Sequence, residues 1–154
     1  MKNNLYYSKE ELELKLKATL ENFIEKDGIL LKIGSSERSL THKFAEHLQK
    51  AFNDWDVDCE YNRDEINIKK LPFNSEKKPV FPDIIIHKRC EDNNLLVIEA
   101  KKSNTNNNSI KHDLYKLNKY LSNFNYMYGL FICFDSKSES GYNTFKLKEN
   151  GKKF

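Results

Sequence analysis

The sequence predicts an α/β fold, a sandwich in which a central sheet is flanked by helices. Apolar residues recur at helical spacing in three segments, each opened by a serine-containing cap. Ile84-Ile85-Ile86 and Leu95-Leu96-Val97-Ile98 are continuously apolar, as strands covered on both faces are. The order is helix, helix, strand, hairpin, helix, strand, which places helices on both sides of one sheet.

The first helix is expected from Ser8 to about Lys26. Ser8 and Glu11 fit a capping box, Leu12, Leu16, Leu20, Phe23 and Ile24 form the stripe, and Asp27-Gly28 ends it. Ser35-Ser36-Glu37 opens a second helix to about Phe52, with Leu40, Phe44, Leu48 and Ala51 inward. Glu37 shares that inward face at the first turn, where an acid is either a dipole partner or a functional group. Trp55 to Asn62 reads as a strand, and Ile66 to Leu71 as another or as an extended segment. Pro72, Pro79 and Pro82 mark the following region as loop. Phe81 to His87 and Leu95 to Lys101 then form an antiparallel hairpin across the polar turn Arg89 to Asn94. Ser103 to Ser109 is a polar loop, and Ser109 caps a third helix to about Asn123 with Ile110, Leu114, Leu117 and Leu121 as its stripe. Tyr128 to Phe134 is a buried strand and Tyr142 to Leu147 an edge strand, after which the lysine-rich end is expected to fray.

Composition bounds the function. At 154 residues the chain has the size of one domain, and Phe 10, Tyr 8 and Trp 1 supply a core despite 32% charged residues. Apolar runs stop at four or five residues, against about 20 for a membrane span. The N-terminus carries no apolar leader, so a cytoplasmic location is expected. Cys59, Cys90 and Cys133 lack the spacing of a zinc site and are expected as free thiols. A net charge of +3 does not by itself indicate a nucleic-acid partner.

The chemistry lies in the hairpin. Side chains alternate along a strand, so Glu99 and Lys101 share a face. A turn centred near Glu91 or Asp92 sets Asp83 opposite Glu99 or Lys101, with opposed Cβ atoms ~5 Å apart. Two acids and an amine then converge, and the acids need a counter-charge, which a divalent metal and Lys101 supply. Carboxylate oxygens suit Mg²⁺, and the chemistry that follows is metal-assisted hydrolysis of a phosphodiester, with Lys101 orienting or deprotonating water or stabilising phosphoryl charge.

Phe81-Pro82-Asp83 followed by Ile98-Glu99-Ala100-Lys101 resembles the PD-(D/E)xK motif of restriction-endonuclease-like nucleases. Ser36 to Lys43 and Val57 to Arg63 are similar to segments of small bacterial members of that superfamily, so the resemblance spans roughly Glu37 to Phe134. It implies a restriction-endonuclease-like three-layer α/β/α fold with a central mixed sheet of about four to five strands. The whole chain, 1–154, would be one such domain, with helix 8–27 accessory and a core over 36–148. It further implies Mg²⁺ or Mn²⁺ held by Asp83, Glu99, the Ala100 carbonyl and Glu37, with Lys101 as the catalytic lysine. Relatives often place a Gln or Lys on the third helix near the site. Lys116 fits that position, with Asp113 and Tyr120 on neighbouring turns. The implied activity is cleavage of nucleic acid, DNA ahead of RNA. A chain this short has little surface for base reading, so a homodimer or a partner is expected to supply any sequence specificity.

Plainer readings stand beside these. Asp83 can simply start a strand, Glu99 can pair with Lys101 or another lysine, and Glu37 can serve the helix dipole. Tyr61, Asn62 and Arg63 are nucleic-acid contacts or a strand-end turn, and Lys102 a contact or a solvated end. Lys69, Lys70, Lys77 and Lys78 track a backbone or are merely solvated. The four histidines read as structural or surface. The rival functions are a nuclease-like fold without cleavage, serving binding or assembly, and a structural α/β domain.

Overall fold

The computed structural model describes residues 6–61, 63–64, 67–68, 70–73 and 76–154, with the side chains of 62–78 outside the described set. Helix α1 (Lys9–Asp27) starts at the expected capping box. Ser8 Oγ accepts the Glu11 N–H, and Glu11 returns a carboxylate to the Ser8 N–H. Such caps contribute ~1 kcal/mol. A short helix α2 (Ile29–Lys32) follows where the sequence reading had only a stop. Helix α3 (Glu37–Ala51) is capped by Ser36, whose hydroxyl accepts the Ser39 N–H.

Strand β1 (Asp56–Cys59) is shorter than expected. The next stretch differs from the reading. Strands β2 (Arg63–Asp64) and β3 (Asn67–Ile68) pair, and β4 (Lys70–Phe73) pairs with β5 (Glu76–Pro79). Pro72 and Pro79 therefore lie in a two-stranded ribbon rather than a loop. Both strands of such a ribbon are edges, where proline is tolerated because a missing N–H need not break a ladder.

Strand β6 (Ile84–His87) and β7 (Asn94–Lys102) form the antiparallel hairpin. Helix α4 (Asn107–Asn123) crosses to β8 (Tyr128–Phe134), which lies parallel to β7, and β9 (Tyr142–Glu149) closes the edge antiparallel. The five-stranded sheet has the order β1-β6-β7-β8-β9 and is mixed. The α4 cap is Asn106, not Ser109. Asn106 Oδ1 accepts the Ser109 N–H at 2.9 Å, so the serine sits inside the first turn. Asn and Ser are comparable caps, so residue type alone did not choose between the two positions.

Two apolar cores cover the two faces of the sheet. Helices α1 and α3 pack Leu12, Leu16, Leu20, Leu40, Phe44 and Leu48 on Ile84, Ile86, Ile98, Ala100 and Ile132. Phe23 meets Phe134 edge-on at 5.6 Å between ring centroids, an arrangement worth about 0.5–1.5 kcal/mol beyond burial. Helix α4 packs Leu117, Tyr120 and Leu121 on Ile85, Val97, Phe131 and Cys133. The layers are therefore α/β/α.

The C-terminus is anchored rather than frayed. Its Phe154 ring lies over Gly129, where a Cβ would come within 3.0 Å of it, and the Phe154 N–H reaches Asn118 Oδ1 at 2.9 Å. Cys59, Cys90 and Cys133 are free thiols, the first two exposed and the third buried. Among the described residues, no helix is long and apolar enough to cross a membrane.

Candidate metal centre

Register builds the site. Ile84 pairs with Ile98, so the next residues outward, Asp83 and Glu99, come together at the end of the hairpin. Of the two positions open to Asp83 in the sequence, the structure takes the one opposite Glu99. Asp83 is fixed at both ends: its Oδ2 accepts the Ala100 N–H at 2.8 Å, and its carbonyl accepts the Glu60 N–H at 3.2 Å. Alternation along β7 turns Val97, Glu99 and Lys101 toward α4 and leaves Ala100 in the opposite core.

Helix α4 brings the third acid. Asp113, Leu117, Tyr120 and Leu121 are its buried residues, one face at helical spacing. One carboxylate oxygen from each of Asp83, Glu99 and Asp113 lies within 4.8 Å of the others. Glu99 is 1% exposed and Asp113 4%. Glu37, expected as a ligand, stands outside this group. Its Oε1 is 3.3 Å from Lys101 Nζ and its Oε2 accepts the Lys102 N–H at 3.3 Å. The first turn of α3 aims the acid at the end of β7, where a lysine meets it before the cluster does.

Two ammonium groups border the acids. Lys101 Nζ lies between Glu37 and Asp113 Oδ2, 3.0 Å from the latter. Lys116 Nζ lies 3.0 Å from Glu99 Oε1. Both contacts have ion-pair distances, yet neither gives its carboxylate oxygen a well-aligned hydrogen bond. Glu99 Oε1, Asp113 Oδ2 and the Tyr120 hydroxyl are buried without a hydrogen-bond partner. Orphaned polar atoms at this depth are costly, which marks them as candidates for a role.

Electrostatics follow from the crowding. Burial, then the charge of Asp83, pushes Glu99 well above the usual carboxylate range, against the pull of Lys116. Burial raises Asp83 too, opposed by the Ala100 N–H and Lys116. Burial draws the Lys101 ammonium down, but the close contacts and charges of Asp113 and Glu37 outweigh it, and the amine stays protonated above the ordinary lysine value.

The softer candidates separate from the cluster. Tyr61 lies against His87, ring centroids 4.7 Å apart and planes tilted by 58°, and packs against the core on the α4 side of the sheet. Asn62 and the side chain of Arg63 lie outside the described residues, as do Lys69 and the side chains of Lys70, Lys77 and Lys78. Lys102 is not a solvated end: its Nζ donates to the Ser35 carbonyl at 2.9 Å, tying β7 to the start of α3. A cleft of about 520 Å³, lined by Glu37, Arg38, His42, Cys59, Glu60 and Asp83 among others, opens on the Asp83 side.

Asp113 as a member of the cluster was missed in the sequence, where it appeared only as a neighbour of Lys116. The signal was present, since Asp113 stands four residues before Leu117 on the inward face.

No family model matches the chain, and no curated protein matches it. Among solved structures, the crystal structure of SSO0001 is similar at a TM-score of 0.45 and 14% identity, covering 90% of this chain and 77% of that one.

Proposed function

We propose that this protein is a metal-dependent nuclease that hydrolyses phosphodiester bonds in nucleic acid, DNA ahead of RNA. The convergence of Asp83, Glu99 and Asp113 within 4.8 Å, with Lys101 against Asp113, carries the reading.

The residues fit Mg²⁺ or Mn²⁺. All three donors are carboxylates, the hard ligands these ions prefer. Two of their oxygens are buried and lack a hydrogen bond. When every group is ionised, four acids (Asp83, Glu99, Asp113, Glu37) face two ammonium groups (Lys101, Lys116), an excess of two negative charges that one divalent ion balances. Asp83, Glu99 and Asp113 would hold the ion, and the PD-(D/E)xK resemblance adds the Ala100 carbonyl. Bound there, such an ion supplies a water of lowered pKa and neutralises phosphoryl charge.

The protein's own groups do the rest. Glu37 and Asp113 hold Lys101 in place and keep it charged. That favours electrostatic stabilisation of a phosphoryl oxygen over proton abstraction as its role. The Ala100 N–H fixes the Asp83 carboxylate at the cluster. The cleft beside Asp83 gives a substrate strand access.

The test is incubation with linear, supercoiled and single-stranded DNA and with RNA, in Mg²⁺, Mn²⁺ or EDTA. Cleavage is expected with metal and absent in EDTA and in Lys101→Ala. Binding without cleavage under all conditions replaces this reading with that of a binding module. Neither binding nor cleavage removes both.

A further inference from the structure

We infer that Lys116 is a built-in placeholder for the cation: its ammonium holds the Glu99 carboxylate and moves out to solvent when a divalent ion takes Oε1. This rests on the cluster being a metal centre and concerns how that centre is filled.

Lys116 and Lys101 look alike in exposure, each side chain being 15% exposed, but they are held differently. Lys101 extends from the sheet and is clamped from two layers, by Glu37 of α3 and Asp113 of α4. Glu37 is outside the three-acid group, so it keeps its grip whatever that group binds. Lys116 reaches in from a helix, and its carboxylate contact is with Glu99, the most buried acid of the cluster. Its Nζ also lies 6.0 Å from the centroid of the Tyr120 ring. The Tyr120 hydroxyl, fully buried and without a hydrogen-bond partner, lies within range of the charges of Glu99, Asp83 and Asp113. A buried hydroxyl without a partner, near acids whose oxygens meet ammonium groups but accept no hydrogen bond, indicates a site built for something further.

Glu99 Oε1, like Asp113 Oδ2, cannot serve two cations at once, but Lys101 retains Glu37 when Asp113 turns to the ion, whereas the carboxylate contact of Lys116 is with Glu99 itself. A hard ion sits about 2.1 Å from a carboxylate oxygen, and an ammonium 3.0 Å from the same atom would then be pressed against it in a dry interior. The lysine has an exit. A long flexible stem that already reaches solvent can carry its head outward while the methylenes stay packed. Once out, the charge stands at the rim of the centre, where a phosphate backbone would meet it. Metal loading would thereby turn an internal counter-ion into a substrate contact.

Amine labelling tests this in the full-length protein. The protein is acetylated briefly with an N-hydroxysuccinimide ester, with EDTA or with saturating Mn²⁺, and each lysine is quantified by peptide mass spectrometry. Melting temperature reports metal binding independently. Labelling of Lys116 is expected to rise several-fold with Mn²⁺, to stay low with Mn²⁺ in Asp83→Asn, and to leave Lys101 unchanged. A rise in melting temperature with no change at Lys116 overturns the placeholder while leaving the metal centre standing. Equal rises at Lys101 and Lys116 report a loosened sheet end and overturn it as well. No effect of Mn²⁺ on melting removes the metal centre and the placeholder together.

Discussion

The two ends of β6 carry opposite kinds of charge. At the His87 end both acids of β1 are paired. Asp58 accepts from His87 Nε2 at 2.8 Å and from Arg89 Nε at 2.9 Å, and Asp56 accepts the Arg89 N–H at 3.0 Å. Burial would raise Asp58, but the hydrogen bonds of His87 and Arg89 outweigh it and hold the acid far below its ordinary value. At the Asp83 end three acids crowd together; burial raises Asp83 and Glu99, with the charge of Asp113 adding to both and that of Asp83 adding to Glu99. One strand thus separates a network that fastens β1 to the hairpin from a cluster that opposes folding unless something neutralises it. Buried charge is informative when it is left incompletely paired, because only then does stability fail to explain it.

The largest expected difference between the ends is in catalysis. Glu99→Gln or Asp83→Ala should lower the cleavage rate by about 10³-fold, whereas Asp58→Asn should leave it close to the parent. Comparable losses from both ends would erase the distinction.

Metal affinity comes next, and it divides the cluster from its surroundings. Asp113→Asn should weaken Mn²⁺ binding by at least the 10–100-fold typical of disturbed ligand support. Glu37→Gln should change it little, since Glu37 contacts Lys101 and the Lys102 N–H instead. Titration calorimetry distinguishes the two, and the reverse ranking would restore Glu37 as the ligand.

Stability against pH gives the smallest effect and the sharpest contrast in sign. Asp58 has a lowered folded value, so its contribution is present above the ordinary carboxylate range and fades as pH falls through and below it. Asp58→Ala should therefore cost about 2 kcal/mol at pH 7 and progressively less in acid. Glu99 has a raised folded value, so without metal it costs stability as pH climbs above its ordinary 4.5. Glu99→Gln in EDTA should stabilise the protein, more at pH 8 than at pH 5. Urea melts at three pH values would measure both slopes, and slopes of the same sign would contradict the comparison.

Much of the centre was readable in advance because alternation and hairpin register are local rules. Asp83, Glu99 and Lys101 meet because period two and a turn near residue 91 bring them there. Asp113 was harder, since no local rule says that an inward position on a later helix will land on an acid pair of the sheet. Glu37 was assigned to the cluster by resemblance, and side-chain reach gave it to Lys101.

Sequence alone determined the three long helices, the two buried strands of the hairpin, a register that puts Asp83 opposite Glu99 or Lys101, and the α/β class. All of these follow from periodicity, caps and short-range register, which act within a few residues. Tertiary structure decided that Asp83 faces Glu99 rather than Lys101, that α4 supplies the third carboxylate, that Lys101 is clamped between two helical layers, that Lys116 pairs with Glu99, and that Phe154 is docked on Gly129. Those outcomes depend on how helices settle against the sheet, and packing between distant segments leaves no periodic trace in the chain.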